Sequence, residues 1–67
     1  MSVAKVTEIT ASSEKSFDDA VRVGIKRASK TLDQIQGAWV SEMKVVADGE
    51  EIVEFRVTLK VTFVLKD

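Results

Sequence analysis

The sequence predicts an α+β fold of order β-α-β-β, in which a three-stranded antiparallel sheet wraps one helix. Three observations carry this. From Val53 to Leu65 every odd position is apolar, while the even ones run Glu54, Arg56, Thr58, Lys60, Thr62 and then Val64. That alternation is the period of a half-buried strand. Asp48-Gly49 stands between this run and an earlier one, and such a dipeptide marks a β-hairpin. Finally, Phe17, Ala20, Val21, Gly24, Ile25, Ala28, Leu32 and Ile35 recur at spacings of three and four, the apolar stripe of a helix.

The first strand is the weakest in the sequence, with Val3, Val6 and Ile9 among Thr7 and Thr10, and it is expected over 3–10. Ala11 to Lys15 reads as a polar link. The helix is predicted from Phe17 to Gln36. Ser16 is its N-cap, and Asp19 three residues on supplies the partner of a capping box. Asp18 and Asp19 near its start, with Lys26, Arg27 and Lys30 toward its end, complement the helix dipole. Gly37 would follow as the C′ residue. Gly24 on the apolar stripe costs the helix roughly 1 kcal/mol, which a close approach to the sheet would offset. The second strand is expected over 38–46, through Val40, Met43, Val45 and Val46. A type I′ turn at Asp48-Gly49 then leads into a third strand from Glu51 to Lys66.

The chain has 67 residues, enough for one small domain over 1–67, and no Cys, His, Tyr or Pro. Disulfides and a zinc site are therefore unavailable as staples. The same absences remove the Ser-His-Asp triad, the thiolate nucleophile and the imidazole or phenol acid–base groups. A non-enzymatic protein is expected. With ten basic and eleven acidic residues the net charge is −1, without the electrostatic footprint of a nucleic-acid binder. No apolar run reaches the roughly 18 residues of a membrane span, and Met1 to Thr10 lacks the pattern of a secretion signal. The expectation is a cytoplasmic protein with neither nucleic acid nor membrane as partner. Asp18, Asp19, Glu50 and Glu51 are candidate oxygen ligands for a hard cation, but without EF-hand spacing no metal site is assigned.

The third strand would extend about 50 Å at about 3.3 Å per residue. A helix of roughly 20 residues reaches about 30 Å, so it cannot shelter such a strand. Copies of the chain are expected to complete one another as a homo-oligomer. The face carrying Arg56, Thr58, Lys60 and Thr62 is then either a solvated sheet face or a wall of a chamber or cleft between subunits.

Several segments together closely resemble the dodecin family. They are Ser12-Ser13, Ser16-Phe17-Asp18-Asp19-Ala20-Val21, Ala28-Ser29-Lys30-Thr31-Leu32, the Asp48-Gly49 hairpin and the run from Phe55 to Leu65. The resemblance covers essentially the whole chain. It implies a β-α-β-β subunit in a hollow homododecamer that holds a small-molecule ligand between subunits. In many members the ligand is a flavin, riboflavin or FMN, kept for storage and quenching rather than catalysis; some members also bind coenzyme A. In flavin-binding members a Trp at the start of the second strand stacks on the isoalloxazine. Here that position is Gly37, and Trp39 stands two residues later, on the same face of a strand. The Gln that meets the polar edge of the flavin is replaced by Arg56, which donates but cannot accept. Glu42 matches an acidic residue near the pocket. The cofactor-binding residues implied are therefore Trp39, Arg56, Glu42 and Gly37. Three of them have a plainer reading from the residues alone: Trp39 buried in a subunit contact, Arg56 paired with Glu42 or Glu54, Gly37 as a helix cap. The alternative function is an assembly of the same fold that binds no flavin and holds another anionic ligand or a divalent cation.

Overall fold

A computed structural model describes residues 2–65. The elements are β1 (Ala4–Ser13), α1 (Phe17–Ala28), β2 (Ile35–Asp48) and β3 (Glu51–Val64). The expected order and class hold: one antiparallel three-stranded sheet of order β1-β3-β2, with a single helix on one face. β3, with the strongest alternation, takes the centre, where both its edges are paired. The expectation of an extended sheet also holds, since the molecule measures 50 Å along its longest axis. The last residue assigned to the third strand, Lys66, lies outside the described residues.

The helix begins where its cap is. Ser16 has extended backbone (φ −170°), and its Oγ accepts the Asp19 backbone N–H at 2.9 Å. The reciprocal half of the expected capping box is not made. Asp19 instead accepts a hydrogen bond from the buried Ser13 hydroxyl at 2.6 Å, and Ser13 Oγ also accepts the Lys15 N–H. The short acidic side chain thus ties the first turn of α1 to the end of β1, which runs on to Ser13, three residues beyond its expected end at Thr10.

α1 is shorter than the stripe suggested, ending at Ala28 rather than Gln36. Ser29 and Thr31 turn their hydroxyls back onto the carbonyls of Lys26 and Ala28, the competition with the helix ladder that makes these residues weak helix formers. Gln34 then takes a left-handed backbone (φ 56°), and the chain reverses into β2 at Ile35. Leu32 and Ile35 still pack on the core. Burial at spacings of three and four therefore survives the helix end, which is why periodicity overran it. Gly37 is not a cap: it lies within β2 opposite Thr62, and a Cβ there would meet nothing within 4 Å.

Three register shifts interrupt β2, between Ile35 and Gly37, Val40 and Glu42, and Val46 and Ala47. The hairpin turn is centred on Gly49 and Glu50, with Asp48 paired to Glu51, and only Gly49 has positive φ (64°). Those signs fit type II′, whose first central residue is Gly, and not the expected type I′.

The core lies between α1 and the odd residues of β3. Ala20, Ala28, Val57, Leu59 and Val61 are buried, with Ile9, Ala11, Phe17, Val21, Ile25, Leu32 and Ile35 packed around the central cluster. Phe17 meets Phe55 edge-on, ring centres 5.1 Å apart. Gly24 has the role expected of it. A Cβ there would stand 2.9 Å from Leu59 Cδ1 and 3.0 Å from Ala11 Cβ, so the glycine lets α1 press against β1 and β3.

Candidate functional site

The even residues of β3 face away from α1, and pairing assigns their neighbours. Residues opposite one another in an antiparallel sheet share a face. From β1 the open face takes Val6, Glu8, Thr10 and Ser12, opposite Thr62, Lys60, Thr58 and Arg56. From β2 it takes Gly37, Trp39, Glu42 and Lys44, opposite Thr62, Lys60, Thr58 and Arg56 in turn. All four residues singled out in the sequence therefore lie on one surface.

That gathering depends on a bulge. Trp39 and Glu42 are three apart, which in a regular strand puts them on opposite faces. The register shift at Ser41 turns Glu42 back onto the face of Trp39, and the Ser41 hydroxyl donates to the Thr58 carbonyl at 3.2 Å. Gly37 and Trp39 are two apart without a shift between them and share the face as expected.

Thr10, Glu42, Lys44, Arg56 and Thr58 of this surface line a cleft of about 230 Å³, which Met43 of the opposite face also borders. Trp39 is not in its wall; it stands one rung further along, half-exposed, with the Lys60 ammonium 5.7 Å from its ring centre. That contact is a cation–π interaction. Gly37 lies one rung beyond Trp39 and outside the cleft lining. Lys44 and Thr10 were not singled out in the sequence. Lys44 reaches the cleft because it sits directly opposite Arg56, and Thr10 because β1 pairs in this register; neither pairing leaves a local sequence signal.

Arg56 makes an ion pair with Glu54, Nε to Oε1 at 2.6 Å, two residues along the same strand. Of the two partners considered for Arg56, Glu54 is the one it takes. The Arg56 hydrogen bond holds the Glu54 carboxyl below the usual carboxylate range; partial desolvation opposes it, and a hydrogen bond from Ser12 and the guanidinium charge add to it. Glu54 thereby fixes the guanidinium by its Nε side.

A second hollow, broad and shallow at about 560 Å³, runs on the other side of the molecule between α1 and β1, floored by Ile9, Ala11, Gly24 and Ala28 and edged by Val23 and Arg27. On the same side of the sheet, β2 lies beyond the reach of α1. Its row Val40, Met43 and Val45, which pairs with Leu59, Val57 and Phe55, is exposed.

A small α+β subunit with one covered sheet face, a polar open face and an uncovered apolar row is the class that this fold defines. The comparisons define the class more closely. The sequence model of the family described as Dodecin matches residues 3–66, and the chain belongs to the dodecin family. It is a member of a family of small ligand-binding proteins that form dodecamers. The chain is 32% identical over 66 residues to calcium dodecin of Mycobacterium tuberculosis, covering 98% of this chain and 93% of that protein. Among solved structures, the dodecin from Streptomyces davaonensis is 35% identical with a TM-score of 0.94, over 98% of this chain and 97% of the other. The calcium dodecin structure from M. tuberculosis, described as having a novel calcium-binding site, is 30% identical with a TM-score of 0.83, over 96% of this chain and 91% of the other.

Proposed function

We propose that this chain is a single dodecin-like domain that assembles into a homododecamer and stores a flavin, riboflavin or FMN, in pockets shared between copies. Chemistry on the ligand is not part of this role. The carrying observation is the open face, where the half-exposed Trp39 ring stands one rung from the cleft containing Glu42 and Arg56. An indole face stacks on a flat heteroaromatic, and neighbouring polar groups fix its orientation. The cleft of one chain holds about 230 Å³, below the roughly 300–1,000 Å³ typical of small-molecule sites. A second copy completes it. Self-assembly has its own support in the exposed Val40, Met43 and Val45 row and in the hollow beside α1. Each is apolar surface that water disfavours, and a row on one copy set in the hollow of the next covers both.

The experiment is a titration of riboflavin and FMN with purified protein, followed by flavin fluorescence beside the native mass. Stacking on Trp39 should quench the emission, and Trp39→Ala should abolish that quenching while the assembly persists. Flat titrations at micromolar protein would reject the flavin reading.

A second reading, an assembly that holds a divalent cation and no flavin, is favoured by the name of the mycobacterial relative. Among the described residues of one chain, no three His, Cys, Asp or Glu side chains come together as a metal site. A calcium site would therefore draw carboxylates from more than one copy. Calcium binding by calorimetry, with no flavin quenching, would select this second reading.

A further inference from the structure

Resting on the flavin reading, we infer that Arg56 is a specificity-determining residue: the cleft takes an edge of the ring that presents two adjacent acceptors, and not the edge that carries the N–H. Three observations on the open face lead there. Glu54 binds the guanidinium through Nε at 2.6 Å, which leaves the paired Nη1 and Nη2 groups as the end available to the cleft that Arg56 lines. That end is a planar fork of N–H donors with no acceptor in it. Lys44 stands directly opposite Arg56 on the neighbouring strand and lines the same cleft, and its ammonium also only donates. Two like charges facing each other across a sheet repel. An edge lying between the two meets donors from both sides and is matched by acceptors.

An isoalloxazine has two kinds of polar edge. Its imide edge alternates acceptor, donor, acceptor around N3–H. The edges on either side of it each carry two acceptors, O4 beside the ring nitrogen N5 and O2 beside N1. Turned toward Arg56, the imide edge would set N3–H against another donor and leave a polar group unpaired. Either acceptor pair matches the fork without conflict. Glu42 is the competing acceptor in this cleft. Were it to take N3–H, the imide edge would be the one read, and the experiment separates the two.

Riboflavin and 3-methylriboflavin, which lacks the N3–H, are titrated side by side by fluorescence quenching. Wild-type protein is expected to bind the two within about threefold of each other. A tenfold or greater loss on methylation would overturn the inference and assign N3–H to Glu42. Arg56→Gln restores an acceptor at this position and is expected to favour riboflavin over its methyl analogue by about tenfold, the scale of one unmade hydrogen bond. An unchanged ratio in that variant would also overturn it. Arg56→Lys keeps the charge and loses the fork, so both flavins should weaken by about tenfold, roughly the worth of one charge-assisted hydrogen bond. Undiminished binding would mean that charge alone suffices and the edge is not read. Native mass in each variant shows that the assembly is intact. Should wild-type protein quench neither flavin, the flavin reading itself fails, an outcome distinct from binding riboflavin and refusing its methyl analogue.

Discussion

The two faces of β3 are made of neighbouring residues and have little else in common. Val57, Leu59 and Val61 are buried against α1, while Arg56, Thr58 and Lys60, which alternate with them, look onto a polar surface. The first face closes within one chain, with Gly24 giving up its side chain to let the helix approach. The second has its cations and carboxylates interleaved across all three strands, Glu8 opposite Lys60 and Lys44 opposite Arg56. The buried core is thus on one side of a single strand, and the proposed recognition surface on the other. Substitutions one residue apart should therefore report on different properties.

The largest effect should come from Leu59→Ala. Leu59 is 1% exposed at the centre of the core, and truncating such a leucine costs about 2–5 kcal/mol. For a chain this small, whose stability at roughly 0.05–0.15 kcal/mol per residue is only several kcal/mol, that is a large share. Lys60→Ala, one position away, removes the cation–π contact with Trp39 and should cost only about 0.5–1 kcal/mol, the range of exposed cation–π pairs. Chemical denaturation at a fixed chain concentration compares the two, because assembly contributes to the apparent stability of both. Equal losses would mean that the covered face is not where the fold is held.

Gly24→Ala comes next. The added methyl gains roughly 1 kcal/mol of helix propensity but meets Leu59 Cδ1 at 2.9 Å and Ala11 Cβ at 3.0 Å. The Leu59 branch can rotate; the Ala11 methyl sits on the backbone of β1 and cannot. Overpacking of this kind costs about 1–3 kcal/mol, so a net loss of about 1 kcal/mol is expected in the same assay. A stabilised variant would show that α1 can lift from the sheet without loss.

The two faces also differ in how far the sequence revealed them. The covered face was legible because its signals are local: odd-numbered apolar residues in β3, a stripe at helical spacing, a serine at the cap. Even the overextended helix marked Leu32 and Ile35 as core residues correctly, since burial and helicity share a period until a turn separates them. The open face was legible only in β3 and in the Gly37 to Trp39 step. Glu42 reaches it through the shift at Ser41, which no alternation announces. Lys44 and Thr10 join it through strand registers, set by pairing between residues far apart in the chain. The position of Gly37 misled in another way, since a glycine after an apolar stripe reads as a cap, whereas the left-handed residue that ends this segment is Gln34.

The smallest effect, and the one that belongs to the open face alone, is a dependence on pH. Glu54 is held below its ordinary value of 4.5, chiefly by the hydrogen bond from Arg56. A carboxylate with a depressed folded-state pKa binds its proton less readily when folded than when unfolded. Its contribution is therefore fully present above the unfolded value and is lost as pH falls through the lower folded one. The window lies below about pH 4.5, and since Glu54 and Arg56 are both partly exposed the effect is small. Denaturation midpoints of wild-type protein and Glu54→Gln at pH 7 and pH 3 should differ at the higher pH and converge at the lower. The Glu54 pair lies on the face away from Leu59 and Gly24, so the variants of the covered face should keep a constant difference from wild type across the same interval. A Glu54→Gln difference that persisted undiminished at pH 3 would mean that the side chain acts through packing, and the division of labour between the two faces of β3 would be less complete than their burial implies.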